Sequence, residues 1–302
     1  MIPTWCTAGI RCGVVVAMVA GAVTARGYAQ RGTGDSIAPP VATELPGGGG
    51  MVFSFIQRTY TLAPIEGAGH RVLLVYAIPA RRLGGTERGE PILARVRLSL
   101  IATPEDTVVL TDTVRVLQEL ATAEDRYALG LEELNLPPGR HYLRLYLGTW
   151  DSRIGLEAGL PAVMVDDLQH TRLWLSDLVL GRQGAGLAWQ RDESVVAIDP
   201  LNTYQQGSSI EVYYELVGLP EGAPFETTIS LTPMLAYNPV VEEDLDPLVS
   251  FGYDEVASSR FTALRRTFSL GNFPVGRYRL TVTARIPGGD AVTRTTMIRV
   301  LE

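Results

Sequence analysis

The fold is decided by Leu136-Pro137-Pro138-Gly139-Arg140-His141-Tyr142-Leu143-Arg144-Leu145 and by its echo, Phe273-Pro274-Val275-Gly276-Arg277-Tyr278-Arg279-Leu280-Thr281-Val282. In each, a Pro/Gly turn runs straight into a stretch where apolar and polar residues alternate. A period of two is what a strand with one buried and one wet face requires. With Gly139 set on Gly276 the likeness extends both ways. Downstream, each copy passes a Gly-containing turn and ends on a closing run, Pro161-Ala162-Val163-Met164-Val165 in the first and Thr296-Met297-Ile298-Arg299-Val300 in the second. Upstream, Val72 to Ile78 and Arg95 to Leu100 correspond to Ile210 to Val217 and Thr227 to Leu231. A repeat of about 100 residues is a duplicated domain, since solenoid units run to about 20 to 50.

The stretches between these anchors read the same way. Arg95-Val96-Arg97-Leu98-Ser99-Leu100 alternates, Ile210 to Val217 is rich in β-branched and aromatic residues, and Pro or Gly punctuates most gaps. Helical periodicity is scarce: only Leu117 to Glu124 and Val240 to Asp246 look able to form a short helical turn. Short strands at regular spacing predict an all-β chain built as sandwiches or barrels. The two domains are expected at 51–168 and 169–302, with the boundary near Val165 to Thr171.

Residues 1–29 have the layout of a secretory signal peptide, with Arg11 as positive flank, an apolar run from Gly13 to Val23, and a small-residue cleavage site at Gly27-Tyr28-Ala29. The run is shorter than the roughly 20 residues a membrane-spanning helix needs, so cleavage after Ala29 is expected and a retained anchor is the alternative. No later run compares with it, and no transmembrane helix is expected once the signal is gone. Both cysteines, Cys6 and Cys12, fall inside this leader, so the mature protein must stand without disulfides. Residues 30–50, with Pro39-Pro40, Pro46 and Gly47 to Gly50, have the composition of a flexible linker.

The formal net charge is −7, and loss of Arg11 and Arg26 with the leader makes it more negative. An acidic chain of this kind is a poor general nucleic-acid binder. There is no lysine. Every basic group is therefore a planar guanidinium fork, and no amine is present for Schiff-base chemistry.

The Pro-x-Gly-x-Tyr strand start at Pro274, Gly276 and Tyr278 resembles the penultimate strand of bacterial immunoglobulin-like and fibronectin-type sandwiches, which implies two tandem domains of that fold. The segment Leu173-Trp174-Leu175-Ser176-Asp177-Leu178-Val179-Leu180, with Ser209 to Leu216, is also similar to the C-terminal β-region of secreted GWxTD-motif proteins. That likeness covers at most Thr171 to Glu302. The naming motif is absent, Gly148-Thr149-Trp150-Asp151 is not a copy of it, and no chemistry carries over.

Catalytic, cofactor and metal sites are not predicted. The histidines are His70, His141 and His170. His141 shares the parity of Leu143 and Leu145, so it is expected to point inward as a structural residue. His170 lies near Asp166, Asp167 and Ser176, but a catalytic triad is defined by geometry, and no nucleophile-elbow pattern accompanies it. The carboxylates Glu242, Glu243, Asp244 and Asp246 lack the spacing of a calcium loop, and Pro239 and Pro247 bracket them. They read as a solvated loop, with calcium as the alternative.

The repeat does point to a surface. If Leu143 and Leu145 face inward, the opposite parity exposes Arg140, Tyr142, Arg144 and Tyr146 in a row, and Arg95 and Arg97 join them if their strand shares the sheet. Tyr and Arg concentrate at protein interfaces. The functional expectation is a non-enzymatic exported envelope protein, in the periplasm or at the cell surface, whose sandwiches present this cationic, aromatic face to another envelope protein or assembly. The alternative is a carbohydrate-binding module that uses exposed Trp or Tyr, with Trp150 and Trp189 as the candidates and Trp174 expected in the core.

Overall fold

In a computed structural model of the chain, the described residues are 55–64, 69–84, 90–102, 106–122, 125–168, 173–184, 186–191, 194–234, 246–289 and 291–302. The expected signal peptide and linker lie outside them, as do His170, Glu242, Glu243 and Asp244. The protein is all-β. No α-helix occurs among the described residues, and one 3-10 turn spans Ala80–Leu83.

The first sheet contains β1 (Ile56–Leu62), β2 (His70–Pro79), β3 (Ile92–Ile101), β4 (Thr107–Ala121), β5 (Arg126–Leu136), β6 (Gly139–Thr149) and β7 (Gly155–Gly159). Their order is β1-β2-β5-β4-β3-β6-β7, and β8 (Val163–Val165) also pairs with β6. Strand β4 lets this sheet fold over on itself. It pairs with β3 from Thr107 to Leu117 and then with β5 from Gln118 to Ala121. The helical turn expected over Leu117 to Glu124 is therefore replaced by strand as far as Ala121, because a second strand accepts the backbone hydrogen bonds that β3 no longer takes.

The remaining strands form two sheets. One holds β9 (Trp174–Leu175), β10 (Val179–Arg182), β11 (Leu187–Arg191), β12 (Ser194–Ile198), β14 (Ser209–Val217) and β17 (Phe261–Ser269), in the order β11-β12-β10-β14-β17 with β9 on β14. The other holds β13 (Thr203–Gln205), β15 (Pro224–Met234), β16 (Val249–Val256), β18 (Gly276–Arg285) and β19 (Ala291–Leu301), in the order β13-β19-β18-β15-β16. Pairings recur between the two halves of the chain: β2 with β5 and β14 with β17, then β4-β3-β6-β7 and β16-β15-β18-β19. Gly139 and Gly276 open the equivalent strands β6 and β18.

Three apolar clusters hold these sheets. The first is lined by Val72, Leu74, Tyr76 and Ile78 of β2 against Val96, Leu98, Leu143 and Leu145. The second sets Val212, Tyr214 and Leu216 of β14 against Phe225, Ile229, Leu280 and Val282. The third joins the other face of β2, through Leu73, Val75 and Ala77, to Val179, Trp189, Ile198 and Tyr213. Both β2 and β14 are thus buried on two faces, which explains why each is an almost unbroken apolar run.

Candidate functional site

The outer face of β3 and β6 is built by register. Arg97 stands opposite Tyr146, Ser99 opposite Arg144, Ile101 opposite Tyr142, and Arg95 opposite Gly148. Leu143, Leu145 and Leu147 are buried, so Tyr142, Arg144 and Tyr146 share the outer side with Arg95 and Arg97. Arg140 is exposed at the start of β6 with its guanidinium 5.7 Å from the Tyr142 ring centroid, and Arg97 lies 5.5 Å from that of Tyr146. All six residues singled out from the sequence therefore lie on one face.

Its charge is lower than the arginine count suggests. Asp112 of β4 takes Arg95 in a fork, Nε to Oδ1 at 2.8 Å and Nη2 to Oδ2 at 3.0 Å, and accepts Arg97 Nε at 3.1 Å. Those bonds, that from Arg95 foremost, pull the Asp112 carboxyl down to about 2. Arg144 meets Glu157 of β7 at 3.3 Å. Tyr146 is held down rather than presented edge-on, because its ring covers the two cross-strand glycines Gly148 and Gly155 and occupies the space a Cβ on either would need.

The acidic partners were not legible in the sequence, and neither was an apolar extension of the face. On β4, Val114 and Val116 are exposed, Val116 standing opposite Leu93 and Val114 opposite Arg95. Arg115 has the other parity, opposite buried Ala94, and its guanidinium reaches Glu132 at 3.1 Å. This stretch of strand is wet on both sides, with the two valines exposed on one and Arg115 exposed on the other. Alternation alone would have turned those valines to the core. The available signal was Asp112 itself, which shares their parity and cannot be buried cheaply.

The other candidates fall elsewhere. Trp189 is 3% exposed and packs edge-on against Tyr213 at 5.4 Å, so it cannot stack on a sugar. It belongs to the third cluster. Trp150 is 61% exposed in the turn between β6 and β7. Trp174 is buried, and its Nε1 donates to Asp166 at 2.8 Å. Ser176 is also buried, its hydroxyl donating to the Asp177 carbonyl and accepting the Glu215 N–H. His141 donates from Nε2 to the Pro137 carbonyl at 2.7 Å. Tyr278, its counterpart in the repeat, makes the same four-residue reach from its hydroxyl to Pro274 at 2.6 Å. Asp246 is exposed, and no cluster of three metal-ligating side chains occurs among the described residues. No helix among them is long and apolar enough to cross a membrane.

The class these features define is an all-β protein with a mixed apolar, aromatic and arginine-bearing sheet face. No family model matches the chain, and no curated protein does. Among solved structures, that of red sea bream transglutaminase is similar at 10% identity over 82% of this chain and 31% of that one, with a TM-score of 0.21. Superposition at that level assigns neither fold nor activity.

Proposed function

We propose that the chain is a non-enzymatic exported envelope protein. Two tandem immunoglobulin-like sandwiches, at 51–168 and 169–302, present the β3–β6 face to another envelope protein. The two-sandwich reading draws support from the recurring strand pairings and from the matched corner bonds of His141 and Tyr278. A side-chain bond from the start of that strand back to the preceding turn is a hallmark of immunoglobulin-type domains.

The observation that carries the binding reading is the exposure of Val114 and Val116 on β4, which sets them and Leu93 beside Arg95, Arg97 and Tyr146. Exposed apolar residues flanked by arginine and tyrosine have the composition of an interface centre. Tyr142, 47% exposed, extends the face along β6. Capture from envelope extract by tagged protein, followed by identification and reconstitution with the purified partner, tests the reading. Val116→Glu and Tyr142→Ser should each weaken the reconstituted complex at least tenfold, and unchanged affinity in both would overturn it.

A further inference from the structure

The outer face of β13-β19-β18-β15-β16 carries an unexplained arrangement. Arg277 of β18 stands directly opposite Arg299 of β19, and both are exposed. Like charges directly opposed on a sheet face destabilise it. Several strand arginines elsewhere are matched with acids: Arg95 and Arg97 with Asp112, Arg144 with Glu157, Arg265 with Glu211, Arg266 with Glu255. Arg277 and Arg299 make no ion pair with any described residue. Among the described residues this pair is left without a counter-charge.

Along the same face β18 continues into Thr281 and Thr283. Thr281 lies between Ser230 of β15 and Thr295 of β19, and Thr283 lies between Thr228 and Thr293. The intervening residues Ile229 and Val282 are buried, which fixes all these hydroxyls on the outer side. The result is two parallel ranks of three hydroxyls. Thr283 and Thr293 are linked at 3.0 Å between their Oγ1 atoms. Strand spacing near 4.8 Å and a two-residue repeat near 6.8 Å make this a flat polar field, with the arginine pair about 14 Å further along β18. The outward positions of β15, β18 and β19 hold no aromatic residue.

We propose that this face binds an acidic polysaccharide. The Arg277–Arg299 pair would grip a carboxylate of the sugar chain, because two guanidinium forks offer parallel donors to an oxyanion and the anion relieves their mutual repulsion. The threonine and serine hydroxyls both donate and accept, as sugar hydroxyls do. A flat, open face suits an extended polymer, whereas small ligands are taken by concave pockets. The site is on a different sheet from the β3–β6 face and does not depend on it.

The test is affinity electrophoresis of the full chain through gels containing polygalacturonate, neutral dextran or inorganic polyphosphate. Polygalacturonate should retard the protein and dextran should not. The retardation should weaken with salt and fall at least tenfold in Arg277→Gln/Arg299→Gln. That variant removes a repulsion, so its Tm should hold or rise; if it unfolds instead, the two single variants carry the same comparison. Tyr142→Ser, on the other face, should bind polygalacturonate as the native chain does. Absence of retardation, retardation unchanged by removal of the arginines, or equal affinity for polyphosphate would overturn the proposal.

Discussion

Arg191 and Glu215 form an ion pair, Nε to Oε1 at 3.0 Å, with side chains 2% and 0% exposed. The pair closes around the end of the first segment. Glu215 accepts the Ala63 N–H at 2.6 Å and the Tyr213 hydroxyl at 2.7 Å, while Arg191 donates to the Ala63 carbonyl at 3.1 Å. Burial pushes the Glu215 carboxyl up, against the pull of Arg191 and of these donors.

Removing one member of such a pair strands the other charge away from water. Glu215→Ala should therefore cost about 3 to 5 kcal/mol. The exposed pair Arg144–Glu157, with side chains 44% and 37% exposed, sets the contrast, and Glu157→Ala should cost no more than about 1 kcal/mol. Urea midpoints measure both. Equal losses would mean that the buried pair contributes nothing beyond its neighbours.

His70 is buried with its ring edge-on to Trp174 at 5.2 Å, and burial holds its pKa below 6.5 despite the opposing charges of Asp166 and Asp167. The folded chain thus prefers the neutral ring, while the unfolded chain takes up a proton near 6.5. The stabilisation is complete above that value and is lost as pH falls through the lower folded one. Between about pH 7.5 and pH 5.5, the Tm of the native chain should fall more than that of His70→Phe. Parallel curves for the two proteins would refute the assignment.

Gly130 and Gly155 each lie under a tyrosine ring, and their alanine variants should behave differently. A Cβ on Gly130 runs into the Tyr76 ring, which is sealed in the first cluster and has nowhere to go. Gly130→Ala should cost about 1 to 3 kcal/mol. The three atoms nearest a Cβ on Gly155 all belong to the Tyr146 side chain, which is half-buried on the outer face and can swing toward solvent. That variant should lose less, and the ring displacement should appear as a change in Tyr146 near-ultraviolet signal. A larger loss at Gly155 than at Gly130 would contradict the packing described.

Much of the strand architecture was legible because alternation is a local property. The parity of Leu143, Leu145 and Leu147 could be read directly, and setting Gly139 on Gly276 found the starts of β6 and β18. What escaped depends on register between distant segments. Nothing near Arg95 announces Asp112, and nothing near Trp189 announces the third cluster that buries it. That cluster also explains why Trp189 has the sequence surroundings of a surface ring: its strand is short and lies beside charged residues, yet it packs on the second face of β2. The end of β4 has the local pattern of a helical turn because its new partner, β5, is chosen by tertiary folding. The exposure of Val114 and Val116 escapes for the same reason, since period two identifies a strand but not which side faces in.

The third cluster has a mechanical consequence. Load entering through the N-terminal strands and leaving through the C-terminal half cannot simply swing the chain open at residues 165–173. It must first shear β1 and β2 from β11 and β14 and pull Ala63 from the Arg191–Glu215 clasp. Under tension the two halves should yield together as one stiff strut, and the distance between their outer faces is set by the packing of β2 rather than by the connecting chain.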